Sequence, residues 1–326
     1  MPELTKADIE KWLVTEEEEF YIDGFRQRHN ISPESSTLYV TFERLCEERK
    51  LKRVGRGIYK KIKQIPSVKK IDVSNQTIYD FKFPCSHSDN SSFGFDDLIR
   101  VYGGNAIVVV GVPNYGKTAF ILNLLGENAH KHPCLLMGNE YSREDGKVSQ
   151  GFSERLVNMN WSNLVNEDGT LNFDLKLIEK DYEEYVQRDY INLIDWILLT
   201  DEPYKIGEII KAAKSRCGDG LVVIVLQKKR GSDLGIGGQY TEHFADVYFT
   251  IDPYGEWQSR ITVGKVKSPK GRVTGRSWAF SIVDNGANLH NIREVVKCLK
   301  CKGSGYTKSG KCDSCEGYGW LEDDTQ

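Results

Sequence analysis

Eight consecutive residues in the middle of the chain have the types and spacing of a phosphate-binding loop. Gly111 and Gly116 stand five positions apart, and Lys117 and Thr118 follow directly. Glycines allow backbone N–H groups to turn inward onto phosphate oxygens, while an ammonium and a hydroxyl serve the β- and γ-phosphates and Mg²⁺. An apolar run at 106–110 precedes the loop and a helical pattern follows it, which is the context that such a loop requires. The sequence therefore predicts ATP and Mg²⁺ as cofactors, bound by Gly111, Asn114, Gly116, Lys117 and Thr118.

Two acidic residues follow predicted strands and are candidates for holding magnesium and orienting water. Glu140 comes after the apolar run 134–137, and Asp195 ends the run 191–194. Because the carboxyl ends of parallel strands meet at one edge of a sheet, both carboxylates are expected beside the phosphate loop. We therefore predict Glu140 and Asp195 as catalytic residues. Two alternatives stay open here: either acid is an ordinary helix cap, or Asp201 and Glu202 provide the metal-binding carboxylate.

Four of the eight cysteines form two Cys-x-x-Cys pairs near the end of the chain: Cys298, Cys301, Cys312 and Cys315. Each pair continues as Cys-x-Gly-x-Gly, and glycines of this kind let a short backbone turn wrap around one metal ion. Four thiolates make a closed site of the kind that holds structural Zn²⁺. The ten-residue gap between the pairs is shorter than in common zinc ribbons, so the fold of the module stays open. A redox dithiol is the alternative interpretation.

Basic residues cluster at two other places in the chain: Arg53, Arg56, Lys60 and Lys61 around a Gly-x-Gly turn, and Lys228, Lys229 and Arg230 before a glycine-rich stretch. The formal net charge of -3 argues against a generally basic surface, so nucleic-acid binding would depend on such local patches. Both clusters are candidate phosphate contacts. The alternatives are a protein-binding domain in the first case and a surface loop with merely solvated charges in the second.

The elements that must position these residues divide into four predicted segments. Residues 1–65 show three helical patterns and two short strands, a winged-helix arrangement suited to duplex DNA. Residues 66–92 carry prolines and a Ser/Asp/Asn cluster, which is typical of a linker. Across 93–290, uniformly apolar strands alternate with helices, which predicts an α/β domain with a largely parallel sheet, extended by antiparallel strands beyond Asp246. Residues 291–326 form the predicted zinc-finger module and tail.

The order of these motifs resembles the RecA-like ATPases, and among them the ATPase domain of DnaB-type replicative helicases. Glu140 stands where that family has a strand-ending Glu, with Arg155 in the next helix, and Gln227 stands where it has a strand-ending Gln. The glycine-containing stretch 231–238 and the pair Ala245-Asp246 are similar to the family's loop and following strand. The resemblance covers roughly residues 90 to 285.

This resemblance implies a RecA-like P-loop core that assembles into a homo-oligomer around single-stranded DNA. It implies that Gln227 senses the γ-phosphate, and that Lys265 and Lys267 reach the nucleotide of a neighbouring subunit. Lys267 stands where the family has Arg, which keeps the charge but loses the bidentate fork. The winged helix replaces the family's helical amino-terminal domain, and the cysteine pairs resemble half of the DnaJ cysteine-rich region.

The expected function is ATP hydrolysis coupled to movement along DNA or remodelling of DNA, as in a helicase. The alternative is an ATP-dependent DNA-binding switch, a recombination mediator or regulator that does not unwind. No stretch of the sequence has the roughly 18 consecutive apolar residues that span a bilayer, and the first residues lack a signal-peptide core. We therefore expect a cytoplasmic protein without a membrane partner.

Overall fold

The computed structural model describes residues 4–63, 79–141, 147–197 and 202–323. Two compact units make up the chain, Met1–Asn75 and Gln76–Gln326. Asp201, one of the alternative metal-binding acids, lies outside the described residues, as does the part of the predicted linker at 66–78. None of the described helices combines the length and the apolar character needed to cross a membrane.

The amino-terminal unit contains three helices and three strands: α1 (Lys6–Leu13), β1 (Glu19–Tyr21), α2 (Ile22–Arg28), α3 (Ser36–Glu47), β2 (Leu51–Gly55) and β3 (Ile58–Lys61). Its antiparallel sheet has the order β1-β3-β2. In α3, Leu38, Phe42 and Leu45 recur at helical spacing and are buried in one cluster with Phe20 and Phe25. The helices and the hairpin agree with the sequence pattern, whereas β1, with three residues, is too short to produce one.

The second unit is built on a ten-stranded sheet. Its parallel part consists of β4 (Ala106–Gly111), β5 (Cys134–Gly138), β6 (Asp174–Leu177), β7 (Ile191–Ile197), β8 (Leu221–Gln227) and β9 (Val247–Tyr254). These strands lie in the order β9-β4-β8-β7-β5-β6, and every neighbouring pair is parallel. The loop-bearing strand β4 is therefore central, with β8 and β9 on either side.

Helices cover both faces of this sheet: α4 (Phe95–Leu98), α5 (Lys117–Asn128), α6 (Gln150–Asn158), α7 (Ile206–Arg216) and α8 (Tyr240–His243). Alternate residues of β4 point to opposite faces, so Ile107 packs in one core cluster with Phe120 of α5, and Val108 packs in another with Ile210 of α7. A strand that is buried on both faces needs the uniformly apolar sequence that 106–110 has. The fold class is α/β with a RecA-like P-loop core, as predicted.

The sheet continues beyond β9 with antiparallel strands β10 (Gln258–Val266), β11 (Ser277–Val283), β12 (Asn288–Lys297) and β15 (Trp320–Glu322), and a separate hairpin joins β13 (Tyr306–Thr307) to β14 (Gly310–Lys311). The sequence pattern predicts that the strand at 247–251 belongs to the antiparallel extension, but β9 pairs in parallel with β4. The antiparallel part begins one strand later, after the turn at Gly255, whose φ is 64°.

Two predicted segment boundaries differ from the structure. Within the predicted linker 66–92, Phe81 and Phe83 are buried in the core of the second unit. Tyr79, Phe81 and Phe83 alternate with polar residues, and this short period of two is the signal that was missed. The boundary at 290 falls inside β12, and β15 returns from the cysteine pairs to join β12. The cysteine module is therefore joined to the sheet edge at both of its ends.

Candidate nucleotide site and cysteine module

The loop between β4 and α5 closes tightly over the first turn of the helix. Gly116 and Asn114 have φ values of 87° and 66°. A Cβ atom at Gly116 would lie 2.1 Å from Cδ1 of Ile282, and one at Gly111 would lie 2.8 Å from Cγ of Lys117. Gly116 is favoured by its positive φ, and a side chain at either glycine would force Ile282 of β11 or Lys117 to move.

Lys117 is buried at the start of α5, where its Nζ donates a hydrogen bond of 2.9 Å to the carbonyl oxygen of Val112. Burial lowers the pKa of Lys117, and the carboxylates of Asp195 and Glu140 oppose this shift. The backbone N–H groups of the first helical turn have no partner within the helix, and the helix dipole is positive at this end. Together with Lys117 they make an anion-binding site.

Asp195 lies on β7 with no solvent exposure. Burial raises the pKa of Asp195, although hydrogen bonds from Tyr141, whose Oη is 2.6 Å from Oδ2, and from Thr118 favour the ionised form. Among the described residues, Oδ1 of Asp195 has no hydrogen-bond partner. A buried carboxylate oxygen without a partner, next to the hydroxyl of a phosphate loop, fits Mg²⁺ held through a water molecule. The residues present therefore suit the predicted metal.

Glu140 follows β5 at the same edge of the sheet. Nε1 of Trp196 donates a hydrogen bond of 2.7 Å to Oε1 of Glu140. Two hydrogen bonds therefore connect the two acidic segments. Tyr141, which follows Glu140, donates to Asp195, and Trp196, which follows Asp195, donates to Glu140. Sequence reasoning missed both aromatic residues. The available signal was their position directly after a candidate catalytic acid, because Tyr and Trp each carry one polar group on an apolar ring.

A cleft of about 860 Å³ opens over the phosphate loop, and it is lined beyond that loop by Glu140, Arg155, Trp196, Gln227, Arg230 and Trp257, among others. Gln227 ends β8 and is paired in register with Gly111 of β4, so its side chain lies at the phosphate end of the cleft. Glu202, the other alternative acid, forms an ion pair with Lys205 before α7. Neither Glu202 nor Asp195 is among the described residues that line the cleft itself, but Asp195 lies buried beside Thr118 of the phosphate loop, which favours Asp195.

The predicted trans-acting lysines lie at the other end of the sheet. Because β10 runs antiparallel to β9, its last residues lie beside the amino-terminal ends of the parallel strands, whereas the phosphate loop follows their carboxyl ends. Nζ of Lys265 donates to the carbonyl oxygen of Glu242 at 2.7 Å, and Nζ of Lys267 lies 2.9 Å from Oδ1 of Asp246. Neither lysine lines the cleft of its own chain.

Two of the predicted nucleic-acid contacts have internal partners instead. Lys228 is buried, with Nζ 2.7 Å from a carboxylate oxygen of Asp252 and 2.6 Å from the carbonyl oxygen of Ser232. Nζ of Lys61 donates to the carbonyl oxygen of Leu13 at the end of α1. Ammonium groups held in this way are not presented to a phosphate. The sequence could not show this, because each partner is more than twenty residues away or is a backbone atom.

The other basic candidates are exposed: Arg53, Arg56, Lys60, Lys229 and Arg230. Lys60 forms an ion pair of 3.2 Å with Glu18. Arg230 belongs to the nucleotide cleft, where its Nη2 lies 3.4 Å from the hydroxyl of Tyr115 in the phosphate loop. The structure therefore assigns Arg230 to the lining of the nucleotide cleft and leaves Lys229 as the exposed cation of that basic cluster outside the cleft.

The four module cysteines converge as predicted, buried and with all Sγ atoms within 4.8 Å of one another. The Sγ atoms of Cys298 and Cys312 are 4.0 Å apart, and those of Cys301 and Cys315 are 3.6 Å apart. Four thiolates at about 2.3 Å from a tetrahedral Zn²⁺ would be roughly 3.8 Å from one another. The donor set and the spacing therefore fit zinc.

Glycines bring the two halves of this module into contact. A Cβ atom at Gly305 would lie 2.2 Å from the carbonyl oxygen of Gly317, and one at Gly319 would lie 2.5 Å from that of Gly303. All four have positive φ values. The backbone N–H groups of Gly305 and Gly319 also donate to cysteine sulfurs at 3.4 and 3.2 Å. The repeated Cys-x-Gly-x-Gly pattern thus allows two backbone turns to pack directly on each other.

The strand order, the phosphate loop and the two braced carboxylates define a P-loop fold of the RecA-like class. No protein-family model matches the chain, and no curated protein matches its sequence. Among solved structures, a KaiC-like protein from the hyperthermophilic archaeon Pyrococcus horikoshii aligns with a TM-score of 0.44 and 16% identity, over 65% of this chain and 99% of that protein.

Proposed function

We propose that this chain is a Mg²⁺-dependent ATPase that couples hydrolysis to movement along DNA or remodelling of DNA. The observation that carries the proposal is that Lys117, Thr118, Glu140 and Gln227 line one cleft, with Asp195 buried beside Thr118. These are the groups that a phosphoryl-transfer site needs for phosphate, metal and water.

Each group has a distinct role in this proposal. The first-turn N–H groups of α5 and the ammonium of Lys117 bind the phosphates, so Lys117 exchanges the carbonyl oxygen of Val112 for phosphate oxygens. Thr118 and Asp195 would hold Mg²⁺, which neutralises charge on the β- and γ-phosphate oxygens when bound. Glu140 has Oε1 engaged by Trp196, which leaves Oε2 to orient the attacking water and accept its proton. Gln227 lies where it can contact the γ-phosphate.

The DNA part of the proposal is supported by the amino-terminal unit and by the segment after β8. The helix and strand order of the first unit, with exposed Arg53, Arg56 and Lys60 on its hairpin, suits a winged helix that contacts phosphates. Lys229 is exposed after Gln227, at the end of the sheet where nucleotide is bound. Binding of a DNA strand beside Lys229 would therefore affect the contact between Gln227 and the γ-phosphate.

A second candidate function is an ATP-dependent DNA-binding switch without unwinding. The observation that favours it is the engagement of Lys265 and Lys267 by groups of their own chain. If both lysines keep these partners in the assembled protein, neither ammonium group reaches the γ-phosphate of the nucleotide bound to the neighbouring subunit. Such an assembly would bind ATP and DNA but turn over slowly.

Unwinding of a forked DNA duplex, measured beside ATP turnover with and without single-stranded DNA or RNA, tests these proposals. A DNA motor gives turnover stimulated by DNA together with strand separation. Turnover without strand separation supports the switch, and stimulation by RNA alone would contradict DNA as the substrate. Absence of turnover with every nucleic acid would reject the ATPase proposal itself.

We also propose that Cys298, Cys301, Cys312 and Cys315 hold one structural Zn²⁺. A redox dithiol is disfavoured by the burial of all four sulfurs, because exchange requires access to the attacking thiolate. None of the eight cysteines, all within the described part of the chain, forms a disulfide, in agreement with a reducing compartment, and we propose a cytoplasmic location on that basis.

A further inference from the structure

Three side chains with metal-binding groups meet at the last turn of α5, outside the nucleotide cleft and the cysteine module. Sγ of Cys85 lies 3.3 Å from Oε1 of Glu127 and 3.8 Å from Nε2 of His87. Nε2 of His87 lies 2.7 Å from the same Oε1 of Glu127. One sulfur, one nitrogen and one oxygen donor thus surround a single point.

The size of this triangle is compatible with a bound metal ion. Its three sides correspond to a circumscribed radius of about 1.9 Å, slightly less than the roughly 2.0 to 2.3 Å of Zn–N, Zn–O and Zn–S bonds. An ion placed a little out of the plane of the three atoms therefore reaches all of them at normal bond lengths. A fourth position on the open side is then left for water.

Two of the three donors, Cys85 and His87, are held in place by contacts outside the triangle, and Glu127 is carried by α5. Cys85 pairs with Ser92 in an isolated β-bridge, and the backbone of Ser86 bonds to that of Ser91 at 2.8 Å, which closes the turn that presents His87. The imidazole stacks on the indole of Trp161, with ring centroids 4.0 Å apart and an interplanar angle of 14°. The site would therefore be largely preformed, so little ordering would oppose metal binding.

We propose that Cys85, His87 and Glu127 form a second Zn²⁺ site, open to one water molecule and independent of the cysteine module. A thiolate, an imidazole and a carboxylate suit zinc, whereas Mg²⁺ and Ca²⁺ prefer sites made of oxygen atoms. Bound zinc ties the turn at 85–92 to the carboxyl-terminal turn of α5, whose first turn carries Lys117. The proposal does not depend on ATP hydrolysis.

The test measures zinc bound to the full chain after equilibrium dialysis against buffered Zn²⁺. We expect two zinc ions per wild-type chain and one in His87→Ala and in Glu127→Gln, which keeps the size of the carboxylate. Cys46→Ser, a change at another half-buried cysteine, should retain two. The zinc of the cysteine module, if retained in every variant, reports that the chain is folded.

Replacement of zinc by Co²⁺ gives a second measurement. The His87 variant should lose one set of visible cobalt bands and keep the intense thiolate bands of the four-cysteine site. The proposal is overturned if His87→Ala and Glu127→Gln bind the same number of zinc ions as the wild type. That result would mean that His87 and Glu127 form only a hydrogen-bonded pair, with the thiol as a second donor to the carboxylate.

Discussion

Each candidate acid of the nucleotide site is followed directly by an aromatic residue, and the aromatic after one acid binds the other acid. Tyr141 donates to Asp195, and Trp196 donates to Glu140. This pattern ties the ends of β5 and β7 together and fixes both carboxylates relative to the phosphate loop. The two hydrogen bonds differ in environment, because Asp195 is fully buried whereas the contact to Glu140 is exposed.

That difference predicts a pH effect for Tyr141→Phe. Burial raises the pKa of Asp195, and the hydrogen bond from Tyr141 opposes this rise, so its removal should raise the pKa further. A hydrogen bond to the ionised carboxylate stabilises that form, so losing the bond disfavours ionisation. Since metal binding needs the ionised acid, the acidic limb of the kcat/KM profile should move to higher pH.

Trp196→Phe is the matched control for this experiment. It removes the equivalent donor from Glu140 but leaves the hydrogen bond to Asp195 in place. We expect it to change kcat without moving the acidic limb. If the limb of the Tyr141 variant stays where it is in the wild type, ionisation of Asp195 does not control activity.

At the scale of elements, a chain of contacts among half-buried residues and the buried Lys228 connects β15 to the end of β8. The guanidinium of Arg260 lies 3.8 Å from the ring centre of Trp320 and 3.4 Å from Asp252. A carboxylate oxygen of Asp252 is also 2.7 Å from Nζ of Lys228, the residue after Gln227. The edge of the sheet that carries the cysteine module is thereby connected to the segment that follows Gln227.

Asp252→Asn should destabilise the second unit strongly. It leaves the buried ammonium of Lys228 without a counter-charge, and loss of one partner of a buried pair costs about 3 to 5 kcal/mol. The matched change Asp80→Asn disrupts an exposed pair with Lys131 and should change the free energy of unfolding little, because solvent screens that pair. Chemical denaturation of both variants measures these free energies of unfolding. Equal effects would show that the Lys228 pair has no structural role.

Truncation after Lys297 removes the cysteine module and tests its contribution to zinc binding and stability. The shortened chain loses β15 and the four-cysteine site, and it exposes Val295, which is only 2% exposed in the full chain. We expect one zinc fewer per chain and a lower Tm. ATP binding should remain, because the residues that line the cleft end at Gly286. Unchanged zinc content after truncation would contradict the four-cysteine site.

The elements that the sequence predicted well are those with a local signal. The strands at 106–110 and 221–226 are continuous apolar runs, and the loop residues from Gly111 to Thr118 have a fixed spacing. The parallel pairing of β9, the packing of Phe81 and the burial of Lys228 were not predicted. Each of these depends on a partner far along the chain, so hydrophobic period and residue type do not specify it.

For the whole molecule, the positions of Lys265 and Lys267 allow a catalytic role only between subunits. Both lie at the end of the sheet opposite to their own phosphate loop and line no part of their own cleft. A cation supplied in trans to a γ-phosphate can increase turnover by about 10³-fold or more. We therefore predict that ATP turnover depends on assembly of subunits. On contact with a neighbouring nucleotide, Lys267 would leave Asp246 and Lys265 would leave the carbonyl oxygens of α8.

Mixed subunits test this prediction at assembling concentrations with single-stranded DNA present. Lys117→Ala subunits keep the two lysines, and Lys265→Ala/Lys267→Ala subunits keep the phosphate loop, so a mixture should recover part of the turnover that each lacks alone. The exposed Lys308→Ala change should behave like the wild type. No recovery in any mixture, or wild-type turnover that is independent of protein concentration and DNA, would reject the shared site.

The central claim is that the cleft over the phosphate loop hydrolyses ATP with Glu140 as the residue that activates water. ATP binding and ATP turnover by Glu140→Gln, measured beside Glu202→Gln, test it most directly. We predict that Glu140→Gln binds ATP as the wild type does but turns it over about 10²-fold more slowly or worse, because general-base catalysis contributes at least that much. Glu202→Gln should retain normal turnover, since Glu202 is paired with Lys205 away from the cleft. Normal turnover by Glu140→Gln, with or without loss in the Glu202 variant, would contradict the assignment of the site.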